Sequence, residues 1–494
     1  MREKFITIGE KDNVAVALCD LKKGEEFVIC NKKVKLNEDI NFGHKFAIQN
    51  IKIGENIIKY NNPIGHAKID ISIGDFVHVH NVATNLSDKI DYIYNKVDVD
   101  KLPKLERKFM GYVRKNGKVG IRNDLYIIPT VGCVNVICEK IRDMAIKQYA
   151  NLYDNVIAIR HNQGCSQMGD DQEDTQKFLS GIIKNPNAAG VIVVSLGCEN
   201  NNLSVFKPYL DGVDETRVKF LVAQEVDDEY DSAQKLLEEL YEIVKTDKRE
   251  ECSLDKLVVG FKCGGSDGFS GLTANPLCGM LNDSLTNIGA KTILTEVPEM
   301  FGAEHILMNR AKDKEVFNDI VSLINEYKDY FISHNQVVYE NPSPGNKNGG
   351  ITTLEEKSLG CIQKGGHSTV TNVVKMACNN LKEGLNLLQG PGNDLVSCTN
   401  LVAAGANLIL FTTGRGNPFG TVVPTMKISS NTQLYNHKKK WIDFDAGRML
   451  EFEREKILNE LIDYVIKIAS GNEYTKNEKN GYQEISIFKS GVIL

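Results

Sequence analysis

Five short segments of this 494-residue chain place imidazole, guanidinium, amide and carboxylate groups directly after apolar runs that have the length of buried strands. They span residues 130–133, 160–165, 197–201, 262–268 and 413–417. If the apolar runs are parallel strands, these segments lie at the carboxyl end of a sheet, where open α/β sheets bind their ligands. One such segment would be an ordinary turn, because Gly, Asn and Asp are normal turn residues. Five together predict a site for a small polyhydroxy acid.

Individual side chains in and near these segments suit distinct steps of acid chemistry. His161 and Glu199 are the candidates for proton transfer, because both follow predicted strands and both side chains can act as general acids or bases. Arg160 and Arg415 could each bind a substrate carboxylate through a two-pronged guanidinium contact. The candidates for hydrogen bonds to substrate hydroxyls are Asn162, Gln163, Asn200 and His367. The alternative for His367 is a structural position at the start of a helix that Ser368 caps.

A histidine pair in the N-terminal part is the candidate metal site. His78 and His80 are two residues apart, so on a strand both imidazoles would point to the same face and could hold one divalent ion. His78 belongs to the third copy of a repeated turn-and-strand pattern, and the other copies carry the apolar Val28 and Ile58 at its position. The alternative is a pair of surface histidines near a strand end. A third ligand is expected from the second domain, which would place the active site at a domain interface.

The cysteines permit a different cofactor. Cys133, Cys198 and Cys263 each follow a predicted strand, and three converging thiolates could hold an iron–sulfur cluster. The alternative is that these cysteines pack as small apolar side chains, as buried cysteine usually does. Their spacing carries no cluster signature, and the chain has no Cys-x-x-Cys. A mononuclear metal site is therefore the favoured expectation.

The elements that must position these residues change in character along the chain. Residues 1–86 contain the repeated glycine-containing pattern and predict a small all-β module. Residues 87–108 are charged and weakly periodic, which indicates a linker. Beyond them strand-like runs alternate with amphipathic helical patterns, and a charged stretch divides this part into predicted domains 109–245 and 257–494. The predicted fold is therefore α/β, with an N-terminal all-β module followed by two α/β domains that have mainly parallel sheets.

Composition narrows the choice of partners. The net charge of −6 and the lack of a long Lys/Arg run argue against nucleic acid as the main partner. No apolar run reaches the roughly 18–20 residues of a membrane helix, and the N-terminus lacks the pattern of a signal peptide, so a cytoplasmic location without a membrane partner is expected. The lack of a dinucleotide-binding fingerprint fits chemistry without a redox cofactor. A small-molecule acid is the expected partner, and a homo-oligomer remains open.

Several motifs, taken in order, carry a family resemblance over almost the whole chain. They lie at residues 77–82, 109–112, 120–123, 161–165, 197–201, 262–271, 341–345 and 349–358. In this order they resemble the altronate/galactarate dehydratase family, whose N-terminal module is of the antifreeze-like, or SAF, type. Chain length and the fused N-terminal module are similar to the single-chain altronate form, whereas the related sulfolactate sulfo-lyases look like split versions of it.

The resemblance implies a hydro-lyase that converts D-altronate to 2-dehydro-3-deoxy-D-gluconate in hexuronate catabolism. It also implies a divalent cofactor, with Fe(II) as the first candidate and Mn(II) as the second. A metal chelated by the substrate carboxylate and the C2 hydroxyl would stabilise the charge that develops when the C2 proton leaves, and the 3-hydroxyl would depart with a proton from a general acid. The alternatives are galactarate or sulfolactate as the substrate, an oxygen-sensitive iron–sulfur hydro-lyase, and a non-catalytic sugar-acid sensor.

Overall fold

The computed structural model describes residues 3–29, 31–86, 92–99, 105–149 and 151–491. An antiparallel β region comes first and two α/β regions with parallel sheets follow, which confirms the predicted fold class. The predicted linker 87–108 lies partly outside the described residues. Its described part includes Tyr94, whose hydroxyl donates a hydrogen bond of 2.7 Å to the carbonyl oxygen of Ala311 in the last region. No helix in the described part of the chain is long and apolar enough to span a bilayer.

The N-terminal region, residues 3–86, consists of short strands joined by tight turns. Its strands are β1 (Phe5–Ile6), β2 (Val14–Ala17), β3 (Glu26–Ile29), β4 (Lys32–Lys35), β5 (Lys45–Ala47), β6 (Asn56–Lys59), β7 (Asn62–Ala67), β8 (Phe76–Val77) and β9 (Val82–Ala83). They form antiparallel sheets in the orders β1-β2-β5-β8, β3-β4 and β6-β7-β9. Gly24, Gly54 and Gly74 have φ angles of 87°, 81° and 90°. The sequence repeat therefore reflects one left-handed turn used three times, as its glycines predict.

The middle region, residues 108–253, contains a parallel sheet in the order β13-β12-β14-β15 and an antiparallel sheet in the order β11-β10-β16. Its elements are β10 (Lys108–Val113), β11 (Val119–Gly120), β12 (Asp124–Pro129), α1 (Asn135–Tyr149), β13 (Val156–Ala158), α2 (Asp170–Ile183), β14 (Ala188–Ser195), α3 (Leu203–Phe206), β15 (Val218–Val222), α4 (Glu229–Val244) and β16 (Glu250–Ser253). Strand β16 lies in the charged stretch between the predicted domains. Its charged side chains face solvent while Cys252 is buried, so the stretch forms a sheet edge rather than a loop.

The C-terminal region, residues 254–491, is built on a seven-stranded parallel sheet in the order β19-β20-β18-β17-β21-β22-β23. Its elements are β17 (Val258–Cys263), α5 (Ala274–Thr286), β18 (Lys291–Leu294), α6 (Glu304–Asn309), α7 (Lys314–Ser333), α8 (Pro344–Asn348), α9 (Leu354–Cys361), β19 (Val370–Val374), β20 (Gly384–Leu388), α10 (Asp394–Ala403), β21 (Leu408–Thr413), β22 (Thr425–Ser429), α11 (Thr432–His437), β23 (Phe444–Asp445), α12 (Arg454–Ala469) and α13 (Lys476–Asn480). All six residues of β21 are buried, as expected for a central strand covered by helices on both faces.

The middle and C-terminal regions pack through a shared hydrophobic core. Helix α2 of the middle region lies against α10, and the backbone of Gly181 approaches that of Ala403 so closely that a Cβ at position 181 would lie 2.4 Å from the Ala403 oxygen. The guanidinium of Arg122 is fully buried and joins the same two regions. It donates to Glu478 at 2.7 Å and to the carbonyl oxygen of Ile468 at 2.7 Å. Arg122, from the motif at residues 120–123, thus helps to hold the middle and C-terminal regions together.

Candidate active site

A buried pair of thiols and a carboxylate meet at the carboxyl end of the C-terminal sheet. Cys263 is the last residue of β17, Glu299 ends the short 3-10 helix that follows β18, and Cys361 is the last residue of α9. The two Sγ atoms are 3.4 Å apart. Glu299 Oε2 lies 3.2 Å from Cys263 Sγ and 3.1 Å from Cys361 Sγ. Three separate elements therefore deliver three ligand-type atoms to one point.

Lysine and carboxylate side chains lie around the two thiols of this thiol–carboxylate group in equal numbers, with Glu299 counted among the carboxylates. Lys357 Nζ lies 2.7 Å from Glu299 Oε1, Lys364 Nζ lies 3.0 Å from Glu296 Oε2, and Lys262 also contacts Glu296. Three ammonium groups face three carboxylates, namely Lys262, Lys357 and Lys364 with Glu296, Glu299 and Asp394. Burial alone would raise the pKa of Glu299, but the nearby ammonium groups, Lys357 first, hold it well below its ordinary range. Glu299 is therefore an anion that can serve as a ligand.

Glu296 has a backbone conformation that supports a functional role for this cluster. Its φ of 70° is in the left-handed region, which costs a residue other than glycine roughly 1 kcal/mol or more. The carboxylate is held by Lys262, by Lys364 and by the backbone N–H of Cys263 at 3.1 Å. These contacts keep the strained residue beside the two thiols.

The donor set fits a divalent transition metal. One ligand atom each from Cys263, Glu299 and Cys361 lies within 4.8 Å of the others, and all three residues are buried. Among the described residues, no other group of three or more His, Cys, Asp or Glu side chains brings its ligand atoms this close together. Two thiolates and a carboxylate suit zinc or iron(II), and three protein ligands leave a position for a substrate oxygen. A hydrogen bond with Cys263, together with burial, raises the pKa of the Cys361 thiol, so metal binding must displace a proton there.

A narrow cleft at Cys361 and a larger cavity both lie between the N-terminal and C-terminal regions. The cleft is lined by Lys59 and Tyr60 of the N-terminal region and by Asp267 and Lys357 of the C-terminal region. The larger cavity, of about 750 Å³, is lined by Phe42, Gly43, Asp267, Arg415, Asn431 and His437, among others. Asp267 borders both spaces. The cleft at the candidate site therefore lies at a region interface, and the larger cavity that shares Asp267 with it has room for a six-carbon acid.

Asp267 is held in place by hydroxyl and amide donors. Its Oδ1 accepts hydrogen bonds from Ser270 Oγ at 2.9 Å and from Ser430 Oγ at 2.7 Å, and its Oδ2 accepts one from Asn431 Nδ2 at 3.0 Å. A Cβ at position 414 would lie 2.1 Å from Asp267 Cγ, so this close approach requires Gly414. Burial raises the pKa of Asp267, although the hydrogen bonds oppose the shift.

The carboxylate of Glu356 joins the C-terminal region to two lysines of the N-terminal region beside the cleft, and we call these three residues the clamp. Glu356 of α9 pairs with Lys45 at 2.9 Å and with Lys59 at 2.8 Å, and all three side chains are buried. Lys45 Nζ also donates to the carbonyl oxygen of Gly350 at 2.7 Å. Burial lowers the pKa of Lys45 to about 8 despite its partner. The two ammonium groups hold the pKa of Glu356 far below its ordinary range, against the effect of burial.

The predicted metal pair lies near this clamp but not on a strand. Strand β8 ends at Val77, and His78 and His80 lie in the turn that follows, so the prediction that both share one strand face is wrong. The His78 ring stands edge-on to the His44 ring, with the ring centroids 5.3 Å apart. The Nδ1 atom of His78 is buried without a hydrogen-bond partner among the described residues. Burial, with a smaller effect of Lys45, lowers the pKa of His78 to about 4. A metal role for the pair stays a prediction.

The predicted proton-transfer residues lie in the middle region, in loops that bond to one another. His161 Nε2 donates to the carbonyl oxygen of Pro129 at 2.8 Å, and its Nδ1 accepts from the backbone N–H of Gln163 at 3.1 Å. Burial lowers the pKa of His161 to about 4. Glu199 accepts from Ser195 Oγ at 2.6 Å, from Thr130 Oγ1 and from the N–H groups of residues 196 and 197. Both side chains have their polar atoms engaged by their own region.

The remaining predicted substrate contacts divide between separate places. In the middle region Arg160 is exposed and pairs with Glu139 at 2.9 Å, and Asn200 Oδ1 accepts from the Ser166 N–H at 2.9 Å. Asn162 is exposed beside the buried Gln163, whose Nε2 donates to Asn162 Oδ1 at 3.1 Å. These side chains are grouped with His161 and Glu199, not with the thiol–carboxylate group.

Two predicted residues lie in cavities of the C-terminal region. Arg415 lines the 750 Å³ cavity, and its binding of a substrate carboxylate stays a prediction. His367 lines a different cavity and contacts Asp283. The alternative that His367 opens a helix capped by Ser368 is wrong, because strand β19 begins at Val370.

The predicted cysteine trio is not brought together. Cys133 and Cys198 are exposed in the middle region, whereas Cys263 is buried beside Cys361. Sequence reasoning missed Cys361 and Glu299. The sequence held a signal for each residue. Residues 295–299 follow the strand-like run that forms β18, and Cys361 comes shortly after the motif at 349–358.

Comparison with known proteins assigns all three regions to one family. Residues 3–85 match the altronate/galactarate dehydratase SAF domain, residues 111–245 the second domain of D-galactarate dehydratase/altronate hydrolase, and residues 254–493 the C-terminal D-galactarate/altronate dehydratase domain. The altronate dehydratase of Bacillus subtilis is 52% identical over 100% of both chains, and that of Escherichia coli is 47% identical over 99% of this chain and 100% of its own. The galactarate dehydratase (L-threo-forming) of Escherichia coli is 32% identical over 98% of this chain and 96% of its own. This chain belongs to the altronate/galactarate dehydratase family.

Proposed function

We propose that this chain is a hydro-lyase that dehydrates D-altronate to 2-dehydro-3-deoxy-D-gluconate. The observation that carries the proposal is the full-length identity of 52% and 47% to two altronate dehydratases, against 32% to a galactarate dehydratase. A sulfolactate sulfo-lyase beta subunit is 30% identical but covers 76% of this chain. Altronate is therefore a better candidate than galactarate or sulfolactate.

We further propose that Cys263, Glu299 and Cys361 hold the divalent ion, with Fe(II) ahead of Mn(II). When bound, the ion supplies a Lewis acid that stabilises negative charge beside the substrate carboxylate. The buried surroundings strengthen that interaction, because charges attract more strongly in a protein interior than in bulk water. Arg415, at the wall of the larger cavity, is placed to bind the substrate carboxylate or a distal hydroxyl.

Two side chains that line the cleft are our candidates for assisting the proton transfers, in place of His161 and Glu199, which lie in the middle region. Asp267 borders both the cleft and the cavity, and its raised pKa makes it a stronger base for the C2 proton than an ordinary carboxylate. Lys357 lines the cleft, and the Glu299 carboxylate raises its pKa although burial opposes this. Because a raised pKa makes an ammonium a weaker acid, Lys357 is suited to donating a hydrogen bond to the departing 3-hydroxyl, and the proton that Asp267 takes from C2 can leave with that hydroxyl as water.

The deciding experiment is a substrate panel with iron(II) or manganese(II) supplied. Altronate, galactarate and sulfolactate would be compared as the source of a 2-keto acid or, for sulfolactate, of sulfite. We expect altronate to have the highest kcat/KM by at least about tenfold, since poorly matched hydroxyls leave polar groups of the site unpaired. A higher kcat/KM with galactarate would refute the substrate assignment, and no turnover of any acid by the metal-loaded protein would favour the sensor alternative.

The proton assignments have a separate readout. In deuterated water, wild-type enzyme should exchange the C2 hydrogen of altronate, and Asp267→Asn should lose that exchange while it keeps its metal. Retention of C2 exchange by Asp267→Asn would exclude Asp267 as the base. Equal loss of exchange in His161→Asn with the metal intact would return the role to His161.

A further inference from the structure

A second cavity of about 610 Å³ lies in the C-terminal region, away from the proposed catalytic cleft. It shares no lining residue with the cavity at Arg415 or with the cleft at Cys361. Its walls come from the interregion segment at 97–99, the end of α5, Arg310, residues 367–371 and the start of β20. Neither the proposed reaction nor the thiol–carboxylate group accounts for it.

Arg310 is the unusual group in this cavity. The residue is only 6% exposed, and its Nη1 donates to the backbone carbonyl oxygens of Gly365 and Gly366. Its Nε is buried without a hydrogen-bond partner among the described residues. Burial lowers the pKa of Arg310 to about 10. A buried guanidinium whose hydrogen bonds go to carbonyl oxygens is stabilised when an anion binds beside it in the cavity that it lines.

The Asp283 carboxylate, which lines the same cavity, already has hydrogen-bond partners. Asp283 accepts from Ser368 Oγ at 2.6 Å and from the His367 N–H at 2.9 Å, and its Oδ2 lies 3.3 Å from His367 Nδ1. This contact raises the pKa of His367, whose side chain is 90% exposed. The cavity therefore presents a buried guanidinium and an exposed imidazole that readily takes a proton.

The other polar groups of the cavity define the kind of anion. Hydroxyls of Thr286, Thr369 and Thr371 line it, together with the carboxylates of Asp98, Asp283 and Glu383. Carboxylates accept hydrogen bonds from the hydroxyl groups of a ligand, and they repel a dianion such as phosphate more strongly than a monoanion. A ligand with one carboxylate and several hydroxyls meets both conditions.

We propose that this cavity is a second binding site, for a small hydroxycarboxylate whose carboxylate pairs with Arg310 and His367. The hydroxyls of the ligand bond to the threonines and to the acidic wall. The proposal does not rest on the assigned reaction, because it follows from the charges and donors of this cavity alone.

Thr369 offers a matched pair of variants for the test. It lies on the cavity wall, is half-buried and immediately precedes β19. Thr369→Glu puts a carboxylate where the ligand carboxylate would bind, whereas Thr369→Gln puts a neutral side chain of the same size there. The experiment titrates D-gluconate into the full-length, metal-loaded protein by calorimetry and maps amide hydrogen exchange over residues 366–374, which exclude Lys364 of the thiol–carboxylate surroundings.

We expect gluconate to slow exchange in this segment in the wild type and in Thr369→Gln. In Thr369→Glu the affinity should fall at least about tenfold, because like charges would meet in the cavity. Arg310→Lys, which keeps the charge but loses the forked donor, should weaken binding in the same segment. Sorbitol should have no effect.

Three results would overturn the proposal. They are gluconate protection only outside residues 366–374, equal loss of affinity in the Glu and Gln variants, and stronger protection by inorganic phosphate than by gluconate. None of these readouts uses turnover. A failure here is therefore distinguishable from a failure of the altronate assignment, which the substrate panel decides.

Discussion

Replacement of Cys361 by serine tests the proposed metal centre most directly. The side chain is 4% exposed and its Sγ lies 3.1 Å from Glu299 Oε2 and 3.4 Å from Cys263 Sγ. Serine keeps nearly the same volume, so the packing of α9 should survive while the thiolate is lost. Four-ligand zinc sites have apparent binding free energies of roughly 10–16 kcal/mol. One ligand thus accounts for roughly 3 kcal/mol, and Cys361→Ser should weaken metal binding about a hundredfold or more.

The assay is the metal content after dialysis against chelators of graded affinity, with altronate turnover measured on the same samples. Cys19→Ser, which changes an exposed cysteine, is the control and should behave as wild type. The double variant His78→Ala with His80→Ala examines the other candidate metal site and should keep its metal. Full metal content and turnover in Cys361→Ser, together with metal loss in the histidine variant, would refute the assignment and restore the histidine pair.

Further predictions concern the clamp, the buried histidine and the two arginines. Glu356→Gln leaves two buried ammonium groups without their carboxylate and should destabilise docking of the N-terminal region by about 3–5 kcal/mol, seen as faster hydrogen exchange in β5 and β6. The control Asp70→Asn, at an exposed ion pair, should leave this exchange at the wild-type rate. The pKa of His161 is lowered from 6.5 to about 4, so between these pH values the unfolded chain binds a proton at His161 and the folded chain does not. The free energy of unfolding should therefore fall by up to roughly 3 kcal/mol as the pH drops from 6.5 to 4. Urea unfolding of His161→Gln should show a weaker pH dependence than wild type, and an unchanged dependence would contradict this. Arg415→Gln should raise the KM for altronate about tenfold or more, whereas Arg160→Gln should leave it unchanged, and the reverse pattern would move the substrate to the middle region.

The fold could be predicted because its signals are local. The turn glycines at 24, 54 and 74 recur at one position of a repeat, and each has the positive φ that the pattern predicts. Buried parallel strands read as short apolar runs, so the alternation of strand and helix indicated parallel sheets before any contact was known. Strand β16 was missed because its charged side chains face solvent at a sheet edge.

The candidate site was harder to predict because it depends on which loops share a sheet. The polar segments follow strands of two different sheets, so the loops at His161 and Glu199 assemble apart from the loop at Cys263. The ring nitrogens of His161 bond to the backbone of its own region, which no spacing pattern reveals. Cys263 and Cys361 are 98 residues apart and belong to no metal-ligand motif, so only the tertiary structure brings them together.

The equal numbers of lysines and carboxylates around the thiols have a consequence for purification. With neutral thiols the six charged groups sum to zero. When a divalent ion binds, both cysteines become thiolates and their two negative charges cancel those of the ion. Metal-free and metal-loaded protein should then have the same isoelectric point and elute together from an ion-exchange column, so the two forms are better separated by differences in heat resistance than by charge.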